Sequence, residues 1–298
     1  MELLHPMRSL MFVPGHNLKL IESAISTDAD VLLVDLEDSV QPLSNKQIAR
    51  NQILQFINDG KFKNHLIYPR VNDRESGELL KDVGQLTVEG VKGFVYPKAK
   101  TGQDIYFFDK LLETIEYEKG FPIGTFKIIA LIETASAVLN AEDICSASDR
   151  VIAIAFGNED YLTDIHGEND ESASTIFTAR SMIAMAARSQ NVIPIDTVHI
   201  KVHDLEDLEK NIVIAKNLGF EGMLVLHPKE LDLVHQYYTP TDLEITQAKK
   251  MTVAFEESKR NGVGVAIVNG KFVGPPLVKN ALRILKKNEM IQRKSMKV

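Results

Sequence analysis

The chain has 298 residues, 44% hydrophobic and 25% charged, with a formal net charge of −7. That is globular composition, long enough for two small domains or for one (β/α)8 barrel of about 250 residues, and its negative balance argues against a nucleic-acid partner. No run approaches the roughly 18 consecutive apolar residues of a membrane span, and the opening MELLHPMRS lacks a signal-peptide core, so a cytoplasmic protein with no membrane partner is expected.

Eight β-rich apolar runs alternate with helical patterns. Residues 9–13 form the first, followed by Gly15, His16, Asn17 and a helix start; residues 31–36 form the second, followed by a helix over 44–57. Residues 66–71 and 93–97 are the third and fourth. Residues 127–133 are the fifth, and Thr134 can cap a helix over 134–147. That helix carries Cys145, the only cysteine, which excludes an internal disulfide and reads as core filler rather than as a nucleophile. Residues 151–156 are the sixth run, before a helix over 172–190 with Ile176, Ala179, Ile183 and Ala187 on one face. Residues 194–198 are the seventh. The helix over 204–216 then shows one apolar stripe of Leu205, Leu208, Ile212 and Ala215, with Gly219 as its stop. Residues 222–226 complete the set.

Near-continuous apolar strands alternating eight times with helices predict an α/β fold, a (β/α)8 TIM barrel over residues 1–237; a doubly wound open sheet is the alternative. Residues 238–298 predict a C-terminal helix/hairpin/helix appendage, docking on the barrel or on a neighbouring subunit. It comprises a helix over 242–260, a hairpin over 263–273 turning at Asn269-Gly270, and a helix near 277–287 opened by Pro275 and Pro276. The basic stretch 286–297 reads as a solvated tail.

Function in such a barrel collects where strands end. The second strand ends at Asp35, Glu37 and Asp38, the third at Arg70 and Asn72, the fourth at Lys98, the fifth at Glu133, the sixth at Glu159 and Asp160, and the eighth at His227. Glu133 and Asp160 are 27 positions apart, one strand–helix–strand unit, so adjacent parallel strands present both carboxylates at one edge. Acids crowded there repel unless a cation joins them, and hard oxygen ligands suit Mg²⁺. Arg70 can fork a carboxylate or phosphate, or pair structurally with Asp35 or Glu37. Gly15 and the helix after it, with Lys19 in its first turn, offer weak phosphate contacts. His227 is either a ligand contact or a capping group.

RSLMFVPG, DLEDSV, PRVN, PKA, IETASAVLNAEDI, FGNEDY, ARSMIAMAARSQNVIPIDTV and LGFEGMLVLHPKEL resemble the citrate lyase β-subunit-like family, from Arg8 to about Ala281. The resemblance implies a TIM barrel, a Mg²⁺ site, and a homotrimer or hexamer. It implies Glu133 and Asp160 as metal ligands, Glu37 and Asp38 behind the metal's waters, and Arg70 on the 2-oxoacid carboxylate. It gives Arg8 and Ser9, with the Phe12, Pro14 and Gly15 turn, to a coenzyme A moiety. The implied partner is a small-molecule acyl-CoA thioester or 2-oxoacid, and the implied reaction is carbon–carbon cleavage of a 3-hydroxyacyl-CoA of citramalyl or malyl type. Three alternatives stand beside it: an aldolase on a free hydroxy-oxoacid, a citryl thioester lyase subunit, or a weakened metal- and oxoacid-binding homologue. One departure is NGKFVGPP, where Gly274 replaces a family aspartate that moves a proton; Asp38 and His227 are the substitutes available.

Overall fold

The structure, a computed structural model, describes residues 5–168 and 173–296. The eight expected strands are all present: β1 (Ser9–Pro14), β2 (Val31–Asp35), β3 (Leu66–Ile67), β4 (Gly93–Tyr96), β5 (Lys127–Ile132), β6 (Val151–Phe156), β7 (Ile193–Asp196) and β8 (Gly222–Val225). They form one parallel sheet in the order β3-β2-β1-β8-β7-β6-β5-β4. Single bridges from Ile67 to Val91 and from Arg70 to Val95 close β3 onto the β4 side, so the sheet is a barrel and not the open alternative.

The expected third strand, 66–71, is regular only over its first two residues. Pro69 has no N–H for the ladder, although its carbonyl still accepts from Val95 N at 2.9 Å. Two glycines let strands close up at the barrel floor. A Cβ on Gly93 would lie 2.0 Å from the Lys127 carbonyl oxygen, and one on Gly222 would lie 1.9 Å from that of Met7.

Buried charges also pin the floor. Arg8 forks Asp30, Nε to Oδ2 at 2.9 Å and Nη2 to Oδ1 at 2.8 Å, and Arg150 forks Glu116 at 2.7 and 2.6 Å. Ser9 Oγ lies 2.8 Å from His235 Nε2, and His235 Nδ1 lies 3.0 Å from Asp28. This is a Ser–His–Asp order, but Ser9 is fully buried, so it is a tie and not a nucleophile.

Helices follow the strands. The expected helix over 134–147 is broken at Asn140 into Ala135–Leu139 and Ala141–Ser146, and Thr134 Oγ1 caps the first through Ala137 N at 3.1 Å. Helices Ser44–Asn58, Ser174–Ser189 and Leu205–Leu218 match expectation within a few residues; Ser172 lies outside the described residues. Cys145 is buried, and burial with nearby Glu142 pushes its thiol up to about 12. Among the described residues no helix is long and apolar enough to cross a membrane.

The chain divides into two compact units, Met7–His235 and Gln236–Val298 with Met1–Pro6. The second unit contains helix Asp242–Arg260, a hairpin of β9 (Ala266–Val268) and β10 (Lys271–Val273), and helix Pro275–Ser295. Asn269 and Gly270 both have positive φ, 52° and 73°, as a tight hairpin turn requires. Ala266, Val273 and Val278 form its small core, against Met251, Ala254 and Phe255. The basic stretch from 286 to 295 continues the last helix instead of forming a tail.

Candidate active site at the C-terminal mouth of the barrel

Asp35 ends β2 and organises the loop after it. Its carboxylate accepts from the Glu37 and Ser39 amides at 2.9 and 3.0 Å and from Ser39 Oγ at 2.5 Å. The backbone bridge from Asp35 to Arg70 sets their side chains together. Arg70 Nε and Nη2 fork Asp35 at 2.6 and 2.8 Å, while Nη1 lies 3.2 Å from both Glu37 and Asp38. The Arg70 guanidinium also stacks on the Phe12 ring, 4.8 Å from its centroid. Burial pushes the Asp35 carboxyl up, but Arg70, Ser39 and the Glu37 amide outweigh it and hold it below the usual carboxylate range. The structural pairing expected as an alternative is therefore present: most of the Arg70 fork is engaged by Asp35.

Glu37 is buried, and neither of its oxygens makes a hydrogen bond of good geometry. Charge holds them, with Oε1 2.8 Å from Lys98 Nζ and Oε2 3.2 Å from Arg70 Nη1. Burial dominates and raises its pKa despite Arg70 and Lys98. Lys98 follows β4 with φ +55°, a sparsely populated conformation for a side chain of this kind. That backbone aims its N–H at Glu133 Oε1, 2.6 Å away.

Glu133 follows β5 and is 2% exposed. Burial, then the charges of Glu37 and Asp160, push its carboxyl up to about 7, against the opposing Lys98 amide and Arg70. Gly157, after β6, lies against it. A Cβ there would be 2.8 Å from Glu133 Cβ and 3.0 Å from Oε2. Glu159 and Asp160, expected at the strand end, occupy the first turn of helix Asn158–Asp164, where the helix dipole favours acids. Asn158 Nδ2 holds Glu159 Oε1 at 3.1 Å.

A cavity of about 380 Å³ opens here. Its lining combines the polar Asp35, Arg70, Glu133, Glu159 and Asp160 with the apolar Phe12, Pro14, Leu131, Val198, Leu224 and Leu226. Glu133, Asp160, Arg70, Phe12 and Pro14 are thus brought together, with Glu37 and Asp38 joined to them through Arg70.

Other expected site residues stand elsewhere. Arg8 is corrected: it precedes β1 at the barrel floor, where Asp30 takes its guanidinium, so it does not reach the mouth. Ser9 is at the floor as well. His227 caps the turn Pro228–Glu230, its Nδ1 accepting from Lys229 N at 3.2 Å, which is the capping reading. Gly15 ties its amide to the Asp35 carbonyl at 2.9 Å, and Lys19 sits exposed in the first turn of helix Leu18–Ile25. Neither Gly15 nor Lys19 lines the cavity. Sequence reading missed Gly157 and the apolar Leu131, Val198, Leu224 and Leu226; inward alternation along β5 and β8 was the available signal for Leu131 and Leu224.

Among the described residues no group of three or more His, Cys, Asp or Glu could hold a metal ion. The donor set fits a different arrangement, in which two hard carboxylates leave the remaining positions to water and substrate. The buried Glu133 carboxylate, crowded by Glu37 and Asp160, has the surplus negative charge that a divalent cation relieves.

A closed parallel barrel with an acid-lined cavity at the strand C-termini belongs to the class of (β/α)8 barrel enzymes. The chain belongs to the HpcH/HpaI aldolase/citrate lyase family, matching over residues 8–228. It is 33% identical over 279 residues to citrate lyase subunit beta of Leuconostoc mesenteroides subsp. cremoris, covering 94% of this chain and 92% of that one. It is 26% identical over 303 residues to the L-malyl-CoA/beta-methylmalyl-CoA lyase of Rhodobacter capsulatus, covering 95% of each. In fold it is similar to the CitE protein of Mycobacterium tuberculosis, solved in complex with magnesium, acetoacetate and coenzyme A. The TM-score is 0.73 at 22% identity, covering 96% of this chain and 100% of that one.

Proposed function

We propose that this protein is a Mg²⁺-dependent carbon–carbon lyase that cleaves a 3-hydroxyacyl-CoA thioester, of citramalyl or malyl type, to a 2-oxoacid and an acyl-CoA. The observation that supports it is the meeting of Glu133, Asp160 and Arg70 in one cavity with apolar side chains beside them. Glu133 and Asp160 would hold the cation, which when bound supplies Lewis acidity to the substrate's oxygens.

The chain's own groups divide the remaining work. Arg70, fixed by Asp35, contributes positive charge and what remains of its donor capacity to the substrate carboxylate. The apolar wall of Leu131, Val198, Leu224 and Leu226 takes the acyl portion and excludes water. Asp38, exposed and 3.2 Å from Arg70, is the group to which this reading gives the hydroxyl proton. As that O–H electron pair becomes the new C=O bond, the carbon–carbon bond breaks and its electrons go to the thioester enolate. A proton added at the enolate carbon gives the acyl thioester. His227 is turned to its cap, so Asp38 is preferred as the base.

The test is 2-oxoacid release from a panel of 3-hydroxyacyl-CoA thioesters, with Mg²⁺ and with chelator. The panel includes a citryl thioester, because of the relative at 33% identity, and a free hydroxy-oxoacid. Release that requires Mg²⁺ and is abolished by Glu133→Ala or Asp160→Ala supports the proposal. Unchanged release in both variants removes it.

A further inference from the structure

A buried cation beneath the acidic rim takes no part in the mechanism above. Lys46 lies near the start of helix Ser44–Asn58 and is 6% exposed. Its Nζ donates to the carbonyls of Leu36 and Glu37 at 2.9 and 3.0 Å and to Asn72 Oδ1. An ammonium has three N–H groups, so these three acceptors use all of them, and none of the three is a carboxylate. A buried charge held by neutral acceptors is costly to keep, which points to a role in what it holds.

The acceptors belong to two different loops. Leu36 and Glu37 begin the loop after β2, which carries Glu37 and Asp38; Asn72 lies just past Arg70 in the loop after β3. Asn72 is itself anchored, its N and Nδ2 donating to Asp82 Oδ2 at 2.8 and 2.7 Å. Asp82 Oδ1 accepts from Arg50 Nη1 at 2.7 Å, and Arg50 is one helical turn beyond Lys46. The connection therefore starts and ends on the same helix: Lys46, Asn72, Asp82, Arg50.

We infer that Lys46 is a positioning residue that clamps the Glu37–Asp38 loop to the Arg70 strand, so that these acids face Arg70 and Lys98. Its effect on turnover rests on the lyase reading above; its effect on the loop does not. The clamp acts on the backbone at Glu37, because two of its three bonds fix the peptide groups on either side of the Glu37 Cα, and the second of these leads into Asp38.

The experiment is a double-mutant cycle of Lys46→Met and Glu37→Gln, read on 2-oxoacid release and on local amide exchange. Lys46→Met is expected to raise exchange at residues 36–40 about ten-fold or more while β5 and β6 stay protected. Turnover is expected to fall about 100-fold with little change in KM, and to fall by less when Lys46→Met is added to Glu37→Gln, where only the placing of Asp38 is left to lose. Glu116→Gln, which weakens the floor pair with Arg150, supplies a destabilised control far from the mouth. If Lys46→Met does not fold, Asn72→Ala cuts the same tie from its other side. Equal rate losses in both Glu37 backgrounds, a loss no larger than that of Glu116→Gln, or unchanged exchange at 36–40 would overturn the inference. Should the wild-type protein release no 2-oxoacid, the lyase reading fails and the exchange result alone decides the clamp.

Discussion

Replacing Glu133 by glutamine removes one titration from the barrel mouth and leaves the shape nearly unchanged. In the metal-free protein Glu133 is pushed from the ordinary 4.5 to about 7, by burial first and then by Glu37. The folded state therefore holds this proton more tightly than the unfolded state. Stability from this group is fully present below about pH 4.5 and is lost as pH rises through about 7. A shift of this size corresponds to about 3 kcal/mol across the window. The glutamine amide does not titrate, so the two proteins should converge or cross: relative to wild type, Glu133→Gln gains about 2 to 3 kcal/mol between about pH 5 and about pH 8. Carboxylates not coupled to Glu133 are common to both chains and cancel, whereas Glu37 and Asp160 feel the loss of its charge. The assay is urea denaturation of chelator-treated protein across that range. Millimolar Mg²⁺ should then stabilise wild type at the alkaline end and leave the variant indifferent. Parallel pH–stability curves for the two proteins would refute the reasoning, because Glu133 would then be titrating like an exposed acid.

Gly157→Ala should lower stability by about 1 to 3 kcal/mol, because the new Cβ overlaps Glu133, and should weaken Mg²⁺ binding more than Thr163→Ala on the same short helix does; isothermal titration measures this, and equal affinities would show that Glu133 yields freely. Gly274→Asp should raise turnover, since the resemblance places a proton-moving aspartate there, and steady-state kinetics check it; no change means the proton is carried by another group. Cys145 should resist alkylation in the folded protein at mildly alkaline pH, because its thiol is pushed up to about 12; labelling as fast as in denaturant would contradict its burial. Light scattering should give a mass of three or six chains, and a monomer would remove the assembly that the resemblance implies.

The strands were legible because most of the buried runs are nearly continuous and most end at charged residues, and the barrel followed from their count. Helix ends were less so: Asn140 splits one helix where the apolar pattern runs on, and the last helix extends through residues that read as a basic tail. Strand ends put Glu133, Arg70 and Glu37 at one rim, and there Glu133 and Arg70 line the cavity while Glu37 lies beside Arg70. They could not show that the Arg70 fork is turned onto Asp35, because that depends on the register of β2 with the irregular third strand. Arg8 failed for a simpler reason. Its side of β1 is the strand's beginning, a six-residue strand away from the mouth, and a motif quoted as one word hides which end each letter occupies. Lys46 gave no signal at all, since a lysine near a helix start ordinarily reads as solvated.

The barrel's least regular stave is the one that bears its arginine. Pro69 denies that stave one ladder donor, and its closure against the next rests on three backbone hydrogen bonds, Lys92 N to the Ile67 carbonyl, Val95 N to that of Pro69 and Val71 N to that of Val95. The guanidinium is aimed from the opposite neighbour, where Asp35 forks it and the Arg70 amide reaches the Val34 carbonyl. Warming should therefore open this seam first and leave the arginine riding on the stave that holds its aspartate.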